Sequence, residues 1–279
     1  MPRFVSYDGT ELAYRTLGDG PPLVCLPGGP GRAPDYLGDL GGLSESRRLV
    51  LLDPRGVGLS AAPADPATFR VDRLVDDVEA LRGHLGLDQM DLLAHSAGSV
   101  LGTLYAAAHP ERLSALILIT PGLAAIGVEG SEQQFGAVVA RLATEPWYPA
   151  AMAAMEKIMA GRWSMEAFRD SRALFYGRWD EVAQEHATAG VAVRHQAARE
   201  GYFGEVAFDV SAIRSALKQL AAPVLLYAGE LDPLVTPAMV REAASLFGGA
   251  AVVVQPGAGH FPWIDDPAAF AAAIGSFLG

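Results

Sequence analysis

The chain has 279 residues, of which 51% are apolar and 19% charged; this is material for a large buried core and excludes a disordered chain or a small disulfide scaffold. Acidic residues outnumber basic ones by 32 to 21, so the footprint of a nucleic-acid binder is missing and anionic membranes repel the chain. The single cysteine, Cys25, rules out an intrachain disulfide and a cysteine-based metal cluster.

The N-terminal third reads as short strands between glycine-rich loops. Arg3–Ser6 and Glu11–Thr16 flank an Asp8-Gly9 hairpin turn. Pro22–Leu26 is an apolar run ending in Pro27-Gly28-Gly29-Pro30-Gly31, and Leu49–Leu52 is another, ending in Asp53-Pro54-Arg55-Gly56. Val71–Leu85 has helical apolar spacing, Met90–Leu93 reads as a buried strand, Ala97–Ala108 as a helix, and Leu116–Ile119 as the next strand. From about Leu123 to Asp209 the pattern is helical, and this stretch carries 11 of the 23 aromatic residues. Alternation resumes with a strand at Pro223–Ala228, a helix near Pro237–Phe247, a strand at Ala251–Gln255 and a helix at Pro267–Leu278. Strand–loop–helix alternation predicts an α/β fold, with a mainly parallel central sheet flanked by helices. Residues 1–122 and 212–279 would form the core. Residues 123–211 would be a helical insertion after the sixth strand, over the ligand-binding edge of the sheet.

The strongest chemical signal is Met90-Asp91-Leu92-Leu93-Ala94-His95-Ser96-Ala97-Gly98, an apolar strand entering a small-x-Ser-x-Gly turn and then a helix. Such a turn lifts a serine to the sheet edge, in front of helix N-terminal amides. Ser96 is therefore the candidate nucleophile, with an ordinary N-cap serine as the alternative. Among the six histidines, His84 and His109 sit at helix ends, His95 would point away from Ser96, and His186 and His195 fall in the insertion. His260 follows a strand in the loop Pro256-Gly257-Ala258-Gly259-His260-Phe261 and is the candidate general base. The strand Pro223–Ala228 ends in Gly229-Glu230-Leu231-Asp232-Pro233; Asp232 is the candidate orienting carboxylate and Glu230 the fallback. The order Ser96, Asp232, His260 is that of one serine-hydrolase fold. Two amides would hold the oxyanion: Ala97, after the nucleophile, and Gly29, after Leu26, since Pro27 and Pro30 have no N–H to donate. Asp53 and Arg55 are read as loop organisers and Cys25 as a buried structural thiol. No P-loop, dinucleotide fingerprint or HExxH is present, so neither cofactor nor metal is expected.

These stretches together resemble the α/β-hydrolase superfamily and, within it, the proline iminopeptidase family of serine aminopeptidases. Pro27–Gly31 is similar to that family's His-Gly-Gly-Pro-Gly oxyanion loop with proline in the leading place, and Asp53–Ser60 to its Asp-x-Arg-Gly-x-Gly-x-Ser stretch. The family's Gly-x-Ser-Trp-Gly turn has Ala94 and Ala97 here, and Pro233 stands where some relatives carry an acid after the catalytic aspartate. The resemblance implies a helical cap over the site and cap carboxylates that hold a substrate's free amino group. Glu200 and Glu205 match that role, with solvated surface residues as the alternative. Trp179 in the cap and Phe261 beside His260 would give the pocket apolar walls. The expectation is a cytoplasmic serine hydrolase without membrane or nucleic-acid partners, with monomer and homo-oligomer both open. Its first substrate reading is a small peptide or amide with a free N-terminus. An apolar ester or lactone is the alternative, and a non-catalytic ligand-binding protein on the same fold a third reading.

Overall fold

Short apolar strands buried on both faces need helices above and below, and this is the arrangement in the computed structural model, which describes residues 1–189 and 195–279. The eight strands are β1 (Arg3–Val5), β2 (Glu11–Leu17), β3 (Pro22–Leu26), β4 (Arg48–Leu52), β5 (Met90–His95), β6 (Leu113–Ile119), β7 (Val224–Gly229) and β8 (Ala250–Gln255). They form one sheet in the order β1-β2-β4-β3-β5-β6-β7-β8. The β1–β2 and β2–β4 pairs are antiparallel, and every pair from β4 to β8 is parallel.

The period of two assigns side chains to the two faces. Val24 and Leu26, Leu92 and Ala94, Leu116 and Leu118, and Leu226 and Ala228 enter one core. Leu23 and Cys25, Leu93, Ile117 and Ile119, and Leu225 and Tyr227 enter the other. The first core is covered by α1 (Val75–His84) and α2 (Gly98–Ala108), through Val78, Leu81, Leu101 and Tyr105.

Between β6 and β7 lie α3 (Glu132–Val139), α4 (Tyr148–Met159), α5 (Met165–Ser171), α6 (Glu181–Ala189), α7 (Gln196–Tyr202) and α8 (Val210–Lys218), with no strand among the described residues. Val139, Leu142, Ala151, Met155, Ala173 and Leu174 give this region a small core of its own. The last helix, α8, returns to the sheet and buries Leu217 in the first core. The chain continues through α9 (Pro237–Ala244), a single turn α10 (Pro262–Asp265) and α11 (Pro267–Leu278), whose Phe270 and Ile274 close the second face. The first helix starts at Val75 rather than Val71, because Val71–Leu74 turns to bond Tyr202 O through the Val71 amide. No helix among the described residues is long and apolar enough to cross a membrane.

The parallel order reverses beside β3: the chain goes next to β4 on one side, then to β5 on the other. The carboxyl ends of β3 and β5 are therefore neighbours, with Leu26 opposite Ala94, and a crevice opens there.

Candidate active site

Ser96 stands between β5 and α2 with φ +53°, a left-handed backbone that costs a non-glycine residue about 1–2 kcal/mol. The turn is held from β6: Ser96 N donates to Ile119 O at 3.0 Å, and Gly122 N donates to Ser96 O at 2.8 Å. Its tightness dictates its neighbours. A Cβ at Gly98 would lie 2.5 Å from the Pro27 carbonyl oxygen, and one at Gly28 would lie 2.8 Å from Ser96 Cβ. The loop after β3 can approach the nucleophile only because both positions are glycine.

The loops after β7 and β8 bring in the other two groups. Ser96 Oγ and His260 Nε2 are 2.9 Å apart, and His260 Nδ1 lies 2.7 Å from Asp232 Oδ2. Asp232 is fully buried, and its Oδ1 accepts from Leu234 N at 2.9 Å and Val235 N at 3.2 Å. With the carboxylate thus fixed as an acceptor, Nδ1 of His260 donates to it and Nε2 is left to accept from the serine hydroxyl. Glu230, the fallback, does another job: it accepts from Arg141 Nη2 and Gly257 N, both at 2.9 Å, and joins the insertion to the loop before His260.

His260 is clamped through its backbone. Its N–H donates to Phe175 O at 2.8 Å, and its carbonyl accepts from Thr120 Oγ1 at 3.1 Å and His95 Nε2 at 3.0 Å. A carbonyl only accepts, so His95 carries its proton on Nε2. Its Nδ1 then accepts from the Tyr36 hydroxyl at 2.7 Å, whose oxygen accepts from Gly28 N at 2.7 Å. Burial drives the His95 imidazole well below its ordinary pKa, so it stays neutral and this polarity is fixed. His95 thus points away from Ser96, as its place on the strand implies, and ties the loop after β3 to the base. Half-buried Asp265, raised by desolvation to a pKa of about 6, accepts from Gly259 N at 2.7 Å and from Gly177 N at 3.0 Å, a second tie between the base loop and the insertion. The Tyr36–His95 link was hidden in the sequence, because nothing local pairs residues 59 positions apart.

Gly28 N is taken by Tyr36, whereas Gly29 N and Ala97 N have no hydrogen-bond partner among the described residues. Gly29, Ser96 and His260 share a cavity of about 180 Å³ whose walls include Phe168, Phe175, Tyr176 and Phe261. Trp179 packs behind that wall, its ring 5.3 Å from Tyr176, and does not line the cavity.

The two glutamates expected to meet an amino group are not brought to the cavity. In α7, Ala198 and Tyr202 are buried four residues apart, and Tyr202 Oη donates to Ala97 O at 2.7 Å. At 100° per residue, Glu200 falls on the opposite side of that helix. It is exposed and accepts from Gln196 Nε2 at 2.8 Å. Glu205 is exposed beyond the helix, within electrostatic reach of Arg70. His195 caps α7 by accepting from Ala198 N at 3.3 Å, and His186 bridges the Tyr176 hydroxyl and the Tyr36 carbonyl.

A serine, an imidazole within hydrogen-bond reach of it and a buried carboxylate behind that imidazole define a serine hydrolase. A profile of the α/β-hydrolase fold matches residues 21–267, and the chain belongs to this family. The proline iminopeptidase of Lactobacillus helveticus is 40% identical over 117 residues, 39% of this chain and 40% of that protein. The chain spans less than half the length of the curated relatives it matches. An esterase from Exiguobacterium antarcticum superimposes with a TM-score of 0.74 over 99% of this chain and 98% of its own, at 18% identity. The enol-lactonase of Burkholderia xenovorans LB400 does so with 0.67 over 99% of both chains, at 24% identity. Identities this low carry the fold and not the substrate.

Proposed function

We propose that this chain hydrolyses a small ester or lactone through an acyl-enzyme on Ser96. The observation that carries this reading is the cavity wall: rings and two arginines surround Ser96, and no Asp or Glu stands among the described residues lining it to hold an ammonium group.

In this reading Ser96 Oγ attacks the substrate carbonyl while His260 Nε2 takes the hydroxyl proton, and Asp232 stabilises the imidazolium through Nδ1–H. The amides of Gly29 and Ala97 receive the oxyanion, with α2 adding the field of its N-terminus. Collapse breaks the bond to the leaving oxygen, which takes the proton from Nε2. Water, deprotonated by the same nitrogen, then releases the acid from Ser96. The insertion, residues 123–211, acts as the cap that shapes the cavity.

The test is a panel of short aryl esters and lactones against aminoacyl amides, run beside labelling by an active-site phosphonate. Esters or lactones are expected to be turned over by wild type and not by Ser96→Ala. Turnover of aminoacyl amides at the higher kcat/KM would return the assignment to the aminopeptidase reading.

A further inference from the structure

Two arginines line the Ser96 cavity from different parts of the chain. Arg32 comes from the loop after β3 and Arg172 from the turn after α5. Both are more than nine-tenths buried, at 7% and 8% exposure. Arg32 lies over the Tyr36 ring, 3.6 Å from its centroid, and Arg172 over Phe168 at 5.8 Å. Neither guanidinium forms an ion pair or a hydrogen bond among the described residues, and the Nε of each is buried without a partner. Among the described residues, the charged and polar groups that interact with Arg32 are Tyr36, Tyr176, His95, His186 and Arg172; those that interact with Arg172 are Tyr176, His186, Arg169 and Arg32. No carboxylate is in either set, and burial lowers the pKa of both guanidiniums.

Buried charge is ordinarily paired, because removing a cation from water costs several kcal/mol unless an anion compensates it. The chain observes that rule elsewhere, at Arg55. Here two like charges stand in one cavity, at the edge of a catalytic serine, with their pairing capacity unused. A guanidinium presents parallel N–H groups that fit a carboxylate.

We infer that Arg32 and Arg172 form an anion pocket, and that the substrate is an ester or lactone bearing a free carboxylate seated between them. The inference deepens the hydrolase reading and rests on it. It also opposes the aminopeptidase reading, since an ammonium group would be repelled from this cavity.

The experiment compares two pairs of substrates that differ in charge on either side of the scissile bond. Mono-4-nitrophenyl glutarate is set against 4-nitrophenyl pentanoate, and 4-acetoxybenzoate against 4-acetoxybenzamide, with spontaneous rates subtracted. A charge-assisted contact of about 1.5–3 kcal/mol corresponds to roughly 10- to 150-fold. Wild type is expected to favour the charged member of at least one pair by that factor in kcat/KM. Arg172→Gln is expected to collapse the ratio toward one, and Arg172→Lys to restore part of it. Wild type alone supplies a second measurement: glutarate should inhibit neutral-ester turnover competitively, and less so as salt is raised. Turnover of all four esters without preference, and without glutarate inhibition, overturns the anion pocket and leaves the hydrolase standing. No turnover together with no phosphonate labelling of Ser96 overturns the hydrolase reading. Calorimetric binding of glutarate then tests the pocket by itself, and absence of binding overturns that too.

Discussion

Arg55 and the Arg32–Arg172 pair are buried alike and treated in opposite ways. Arg55, 1% exposed, donates to Asp77 Oδ2 at 2.7 Å, to Asp8 Oδ2 at 2.6 Å and to Thr68 Oγ1 at 2.8 Å. Burial alone would lower its pKa, but the bonds to Asp77 and Asp8 outweigh burial and raise it. Asp77 accepts also from the Ser6 hydroxyl, so the cluster pins the β1–β2 hairpin to α1. The same side chain at positions 32 and 172 faces rings, a hydroxyl and a cavity. The difference separates a charge that the chain uses to hold itself together from charges kept ready for a molecule that arrives from outside.

That distinction assumes that the cavity is where reaction occurs, and the largest effect tests the assumption. Ser96→Ala is expected to lower kcat/KM for any accepted ester by at least about 1,000-fold, with the melting temperature unchanged. Residual turnover near wild type would remove the cavity from the chemistry. The comparison itself is sharpened by stability measurements in urea. Asp77→Asn strands Arg55 and is expected to cost about 3–5 kcal/mol. Arg172→Met removes an unpaired buried charge, so the free energy of unfolding should stay level or rise by about 1 kcal/mol. Equal losses in the two variants would erase the contrast. A smaller change is expected at the tie between the cation corner and the triad. Tyr36→Phe deletes the hydroxyl that joins Gly28 N to His95 and should lower kcat about 10- to 100-fold, in line with about 1–3 kcal/mol for unsatisfied buried groups. An unchanged kcat would make the link purely structural.

A further effect concerns pH. Burial holds the His186 imidazole down to a pKa of about 4 against an ordinary 6.5, with the charges of Arg32 and Arg172 acting the same way. Between those values the unfolded chain binds more protons than the folded one. The stability contributed by neutral His186 is therefore complete above pH 6.5, declines as pH falls toward 4, and is level below. Urea midpoints of wild type and His186→Gln at pH 7, 6, 5 and 4 should converge as pH falls; parallel curves would contradict the assignment.

The catalytic edge was legible because its constraints are local. Apolar runs at β5, β7 and β8 end in polar, glycine-bearing turns, and parallel strands bring those ends together whatever lies between. The choice of Asp232 over Glu230 followed the same logic and agrees with the geometry. Of the cavity lining, Phe261 was legible from its place beside His260, but the walls that the insertion supplies were not, because they depend on how it docks. Glu200 and Glu205 matched a family role by position, but Tyr202 and Ala198 take the inward face of α7 and turn Glu200 outward. Arg32 carried a faint signal, a cation straight after Pro30-Gly31. Arg172 carried none, standing among Arg162, Arg169 and Arg178 in the same helical stretch.

The left-handed turn at Ser96 has one more consequence. Glycine occupies that region of backbone space freely, so selection for folding alone would strip this position of its side chain. The oxygen persists there against the preference of the polypeptide. A lineage that ceased to need turnover would find its easiest gain in robustness at the reacting atom itself.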